Sequence, residues 1–417
     1  MTEYSANELE EAIYTCVDFL LTNKERVQNN TEKRNILDVM KCLYNKDGSS
    51  FTHYYPHTLI FKITSGCNLR CKHCFFSDEL SSYCTEHDLE EETLFEYLKY
   101  FVEEINILCC TLTGGEIFTV PYFSKFLKYL KSKNIIVELL TNGTLIREKD
   151  VEFLSQVLNP KTDSVQISLE GPEKVNDFIR GEGVFKKVKN SIKLLTDKNI
   201  RVCMSMTINS LNACYIEEMY DFCRELKVEQ LNIGRMHVCN EEQVDFAVNV
   251  DDLIVGLAKI IKKAEKCKDV KIKVRALKAF DFLKYEKGRE YLDRLLEQGE
   301  QGIPEENMHC RPLGEQVSLF PTGHLSLCYN CECDEFYIGN LKEQSFEEIW
   351  ANRHNKTMFK SRPLMSTCKK CKYVPLCNGG CPISAYNKYK TINCPDGNCL
   401  YAEDKIMSKE WQLEDIH

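Results

Sequence analysis

Residues 67–74 read CNLRCKHC, which places Cys67, Cys71 and Cys74 within eight positions. Three thiols on one short loop fit neither common structural use of cysteine. A structural zinc takes four ligands, and disulfides take pairs. Iron–sulfur clusters are held by thiolates, normally four. A cluster with three would keep one iron open to a reacting molecule, the logic that separates catalytic from structural zinc. A larger group stands in the last third: Cys310, Cys328, Cys331, Cys333, Cys368, Cys371, Cys377, Cys381, Cys394 and Cys399. These lie among Gly, Pro, Asn and Lys in loop-like sequence, where soft-metal chemistry is the natural use of a thiol.

The rest of the chain says where such chemistry takes place. With 417 residues it can build two or three cores. A formal charge of −9 without a long basic run argues against a nucleic-acid surface. The most basic stretch, residues 260–277, reads as a solvated helix and strand. The acidic N-terminus lacks the basic flank and cleavage site of a signal peptide, and no apolar run is long enough to span a bilayer. A cytoplasmic location is expected. In that reducing compartment 23 cysteines are not a disulfide framework. Cys16, Cys109, Cys110, Cys203 and Cys223 sit in apolar-periodic segments and read as small core residues.

The elements that position the first motif alternate strand and helix six times after a helical N-terminal extension, residues 1–55. Strands are expected at 58–64, 107–113, 134–140, 164–170, 201–208 and 230–234, and the clearest helix at 184–195, with Phe185, Val188, Ile192 and Leu195 on one stripe. Such repetition implies a parallel α/β sheet with right-handed crossovers. Six units are too few for a closed eight-fold barrel, leaving an open partial barrel or a doubly wound sheet. Residues 246–305 add an amphipathic helix and a short strand as a bridging segment, and 306–417 form a cysteine-rich module. The unusual residues fall in register: the cysteine loop follows the first strand, Gly114-Gly115-Glu116 the second and Asn142 the third, while Ser168 lies near the end of the fourth. Carboxyl ends of parallel strands build sites, so these segments should meet at one mouth.

The C-x3-C-x2-C spacing after the first strand, with TGGE after the second, resembles the radical S-adenosylmethionine superfamily over about residues 56–240. The resemblance implies a partial (β/α)6 TIM-like barrel over 56–245. It implies a 4Fe–4S cluster on Cys67, Cys71 and Cys74 whose open iron chelates S-adenosylmethionine. Reductive cleavage then gives a 5′-deoxyadenosyl radical that takes a substrate hydrogen. Carried over by position, Gly114, Gly115 and Glu116 receive the methionine ammonium, with the glycines allowing close backbone approach. His73 lies near the adenine, Ser168 and Arg180 contact the carboxylate or ribose, and Asn142 stands at the same mouth. Ile117 replaces the proline that family members often have there.

Cys368, Cys371, Cys377 and Cys381 stand in C-x2-C-x5-C-x3-C, preceded by Cys310 and GHLSLC ending at Cys328, and followed by Cys399. This resembles the SPASM domain of peptide- and protein-modifying members, over about 306–402. It implies two auxiliary 4Fe–4S clusters, three in all. Cys368, Cys371, Cys377 and Cys399 would hold the outer one, with Cys394 as a competitor of Cys399. Cys310, Cys328 and Cys381 would hold the inner one, its fourth position taken by Cys331 or Cys333 or left open. A zinc ribbon is the competing use of such cysteines, but the thiol count exceeds one or two zinc sites.

The expected activity is maturation of a ribosomal precursor peptide by a thioether or carbon–carbon crosslink. The expected partners are that peptide, with a leader, and a reductase, flavodoxin or ferredoxin as electron donor; nucleic acid and membrane are not among them. The alternatives are an anaerobic sulfatase maturase, forming formylglycine, and a non-enzymatic metal-binding adaptor. Sulfatase maturases place an Asp general base directly after the second cysteine of the tail, where this chain has Tyr329.

Overall fold

The computed structural model describes residues 4–16, 55–75, 85–238, 241–297, 316–330, 332–353, 368, 371–377, 379–392, 394–399 and 401. A ten-stranded sheet organises them, in the order β10-β9-β8-β1-β2-β3-β4-β5-β6-β7. Strands β1 (Thr58–Lys62), β2 (Cys109–Thr113), β3 (Ile136–Thr141), β4 (Ser164–Ser168), β5 (Val202–Ile208), β6 (Gln230–Arg235) and β7 (Lys271–Val274) run parallel. Helices fill the crossovers. The helix Val184–Asp197 buries Val184, Val188, Ile192 and Leu195, spaced to share one face. Phe185, expected on that stripe, is half-buried against Phe222.

Strand alternation gives the sheet two unlike faces. Leu59, Phe61, Leu112, Val137, Leu139, Val165, Ile167, Met204, Leu231 and Ile233 are fully buried in the core beneath the helices. The alternate positions Thr111, Glu138, Gln166, Ser168, Ser205, Thr207 and Asn232 are half-buried and mostly polar. Register aligns them across strands, Thr111 beside Glu138 and Ser168 beside Ser205, itself beside Asn232. An amide chain crosses this face, from Gln230 Nε2 to Asn232 Oδ1 and from Asn232 Nδ2 to Gln166 Oε1, both at 2.6 Å. The fold is the partial TIM-like barrel. It stays open because β1 bonds to β2 on one side and β8 on the other.

The cysteine-rich tail is not a bead apart from this sheet. Strand β8 (Gln316–Leu319) runs parallel to β1, and β9 (His324–Ser326) and β10 (Tyr337–Asn340) follow antiparallel. The buried Lys62 ammonium of β1 pairs with Glu332, between two cysteines of the tail. Of the cysteines read as core residues, Cys16, Cys110, Cys203 and Cys223 are buried, whereas Cys109 is half-buried. No helix among the described residues is long and apolar enough to cross a membrane.

Candidate active site and the auxiliary cysteines

The loop after β1 is fastened from several sides. Asp88 Oδ2 accepts from Thr64 Oγ1 at 3.0 Å and from the Ser65 amide at 2.9 Å. The Lys72 amide donates to the Ile179 carbonyl at 2.9 Å, and Gln243 Nε2 donates to the Lys72 and Cys74 carbonyls at 3.3 and 3.2 Å. The segment after β2 lies against the same loop: the Gly115 amide donates to Thr64 O and the Glu116 amide to Gly66 O, both at 2.8 Å. A Cβ on Gly115 would stand 2.2 Å from Gly66 O, and one on Gly114 2.8 Å from Thr64 O. Backbone contact this close explains why both positions are glycine.

Cys71 stands near enough to feel the charges of both Cys67 and Cys74, and Cys67 that of Cys74. Burial raises the Cys67 thiol, and it pushes Cys71 up to about 11 against the pull of Arg180. Two of the sulfurs face N–H donors. Cys67 Sγ accepts from the Leu69 amide at 3.4 Å and Asn142 Nδ2 at 3.9 Å, and Cys71 Sγ from Arg180 Nη1 at 3.9 Å. Such donors favour thiolate and tune whatever metal it holds.

Glu116 is 1% exposed. Its Oε1 accepts from the Phe118 amide at 3.1 Å and Thr141 Oγ1 at 2.7 Å, and its Oε2 from the Asn142 amide at 2.6 Å. Burial raises its pKa, opposed by these hydrogen bonds. The carboxylate thus clamps the ends of β2 and β3 together. One lone pair of Oε2 remains for an incoming donor.

The structure therefore gathers Cys67, Cys71, His73, Cys74, Gly114, Gly115, Glu116, Asn142 and Arg180 at the carboxyl ends of the first four strands. Ser168 ends β4, half-buried beside Ser205. Glu170 belongs to the same mouth, although the sequence reading passes over it. It is fully buried, pairs with Arg180 at 2.7 Å, and lies 3.3 Å from His73 Nε2. Burial alone would raise its pKa; Arg180 and His73 overcome that and hold it down at about 2. Its sequence signal is an acid closing the run SVQISL just before Gly171 and Pro172.

These residues fit a bound cluster and cofactor. Among the described residues no three His, Cys, Asp or Glu converge closely enough for a single metal ion. A cubane is ringed by its thiolates and does not need that convergence. Among the described residues the buried His73 Nδ1 has no hydrogen-bond partner, which calls for a ligand group beside it.

In the tail, Cys368, Cys371, Cys377 and Cys399 line one small apolar cavity with Phe280 and Leu283. Cys394, 2% exposed, packs instead against Ala385 and Tyr389. Burial pushes the Cys377 thiol up to about 12. Cys328, Cys333 and Cys381 share a second apolar cluster with Phe336, Ile383 and Phe75, the residue after Cys74. That group lies beside the first loop. Asp396 fixes the turn into it, accepting from the Cys381 amide at 2.7 Å and Ser384 Oγ at 2.6 Å. Cys310 and Cys331 lie outside the described residues.

Comparison with known proteins identifies the domains to which these segments belong. Residues 61–223 match the Radical SAM superfamily, and residues 310–372 match SPASM, an iron–sulfur cluster-binding domain. The chain is similar to the antilisterial bacteriocin subtilosin biosynthesis protein AlbA of Bacillus subtilis, 27% identical over 375 residues, covering 87% of this chain and 73% of AlbA. It is also similar to a cysteine-type anaerobic sulfatase-maturating enzyme of Clostridium perfringens, 26% identical over 353 residues, covering 78% of this chain and 89% of that enzyme. The crystal structure of Streptococcus suis SuiB bound to precursor peptide SuiA shares the fold, with a TM-score of 0.67 at 15% identity over 90% of this chain and 89% of SuiB. Thiol loop, glycine segment and cysteine-rich tail thus find one explanation: the chain is a radical SAM enzyme with a SPASM domain.

Proposed function

We propose that the protein matures a ribosomal precursor peptide by joining two of its side chains through a thioether or carbon–carbon bond. The observation that carries this is the placement of the polar sheet face. Glu138, Gln166, Ser168, Ser205 and Asn232 form a half-exposed floor that leads to the Cys67 loop, and Phe75 joins that loop to the Cys328, Cys333 and Cys381 group. A peptide strand on this floor lies between a radical-generating site and a second cysteine site.

Cys67, Cys71 and Cys74 hold the first cluster. The Gly114–Gly115 backbone and the remaining lone pair of Glu116 Oε2 receive the methionine ammonium, while His73, Asn142, Ser168 and Arg180 enclose the rest of the cofactor. Cys368, Cys371, Cys377 and Cys399 hold the outer auxiliary cluster. Cys310, Cys328 and Cys381 hold the inner one, its fourth position taken by Cys331 or Cys333 or left open. When bound, S-adenosylmethionine and the clusters supply a 5′-deoxyadenosyl radical to take one hydrogen atom and a sink for the electron left after the second hydrogen departs as a proton. Tyr329 follows Cys328 where a sulfatase maturase carries its aspartate base; a phenol ordinarily titrates near 10, which favours crosslinking over formylglycine formation. A leader on the peptide, a flavodoxin, ferredoxin or reductase as electron donor, and a cytoplasmic location belong to the same proposal.

The test is anaerobic turnover of the reconstituted protein with reductant, S-adenosylmethionine and the small peptide encoded beside its gene. A product lighter by two hydrogens is expected. No release of 5′-deoxyadenosine by cluster-replete protein would overturn the enzymatic reading, and an aldehyde in the product would point to formylglycine.

A further inference from the structure

Glu170 lies just beyond β4, is fully buried, and stands near enough for its charge to be felt at Cys71. Its Oε1 accepts from Arg180 Nε at 3.1 Å and Nη2 at 2.7 Å, and faces His73 Nε2 at 3.3 Å. Its Oε2 accepts from the Thr207 amide at 2.7 Å, which fixes it to β5. The Glu170 amide donates to Asn176 Oδ1 at 3.0 Å, which fixes it to the helix Glu173–Arg180. With two of its nitrogens held in this way, Arg180 has one arm directed elsewhere. Nη1 reaches Cys71 Sγ at 3.9 Å.

Charge and hydrogen bonds at the sulfurs are among the main levers on an iron–sulfur potential. Reduction adds negative charge, so a cation at a ligating sulfur eases it and a nearby anion resists it. Both groups here are buried, where charge is poorly screened. We propose that Glu170 and Arg180 are positioning residues that set the reduction potential of the cluster on Cys71. Arg180 raises that potential through Cys71 Sγ; Glu170 aims Arg180 and offsets part of its charge. This rests on the reading of Cys67, Cys71 and Cys74 as the first cluster's ligands.

The experiment is an EPR-monitored redox titration of the reconstituted full chain without S-adenosylmethionine. The first cluster is identified as the signal that shifts when the cofactor is added afterwards. Arg180→Gln should move its midpoint to more negative potential. Glu170→Gln, which keeps an acceptor for Arg180 and removes the anion, should move it to less negative potential. Glu170→Asp keeps the charge and should stay nearer the unaltered protein than Glu170→Gln does, and it also serves if the amide variant does not fold. Unchanged midpoints, or Arg180→Gln and Glu170→Gln moving in the same direction, would overturn the proposal. Absence of any cofactor-responsive signal in the unaltered protein would instead overturn the assignment of the cysteine loop.

Discussion

Gly115→Ala adds a single methyl group at the tightest contact of the site. The new Cβ would lie 2.2 Å from Gly66 O, 2.5 Å from Gly66 C and 2.6 Å from Ser65 O. All three atoms are backbone, so no side-chain rotation relieves the clash. Ordinary contact begins near 3.4 Å, and the two segments must therefore part by about 1 Å. Parting them stretches two bonds, Gly115 N to Thr64 O and Glu116 N to Gly66 O, each 2.8 Å. Overpacking costs about 1–3 kcal/mol, and each lost hydrogen bond about 1 kcal/mol. A total of about 3–5 kcal/mol falls on the junction between the thiol loop and the glycine segment. The assay pairs iron content and 5′-deoxyadenosine release with thermal unfolding, where roughly 2–4 °C is expected per kcal/mol. Gly234→Ala is the control for stability, because among the described residues its Cβ meets nothing within 4 Å. The expected result is a melting temperature lower by several degrees and roughly a hundredfold loss of cofactor cleavage for Gly115→Ala, the scale of a displacement of about 1 Å, with the control unfolding like the unaltered protein. Unaltered iron content, cleavage and melting temperature in Gly115→Ala would refute the reasoning, since no backbone junction of this kind could then exist.

Ala at Cys67, Cys71 or Cys74 should abolish 5′-deoxyadenosine formation, whereas Ala at Cys368 or Cys371 should spare it and remove product; chromatography of both species distinguishes the two sets. Cys399→Ser should lower bound iron by about one cluster while Cys394→Ser does not, because Cys399 lines the cavity shared with Cys368, Cys371 and Cys377 and Cys394 packs against Ala385; equal iron in both variants would count against this division. Glu332→Gln removes the carboxylate that pairs with the Lys62 ammonium, 5% exposed, and breaking a buried pair of this kind typically costs about 3–5 kcal/mol. Replacing both partners with Met should recover most of that loss in a denaturant titration, and a double-mutant cycle showing no coupling would refute the role of the pair.

What could be read from the chain alone follows the range over which each feature is decided. The six parallel strands and the helix Val184–Asp197 were legible because apolar alternation and helical spacing are local, and the glycine segment because its residue types admit few other uses. Glu170 was not, because its meaning depends on Arg180 ten residues later and on Cys71, 109 residues before Arg180. Cys394 and Cys399 occupy the same short loop, and what separates them is the helix Pro382–Tyr389 with the Asp396 clamp, which turns one sulfur into packing and leaves the other on the cavity. Strands β8–β10 are three or four residues long, too short for periodicity to announce. Their pairing has a consequence for how the two halves cooperate. Because β8 bonds directly to β1, and β1 leads into Cys67, the tail is tied by backbone to the strand that carries the first site. Lys62 and Glu332 add a side-chain tie at the same strand. A shift of Cys328, which follows β9, is thus resisted by the sheet itself, and under the proposed crosslinking function this holds the radical-generating site and the Cys328, Cys333 and Cys381 group at a fixed separation.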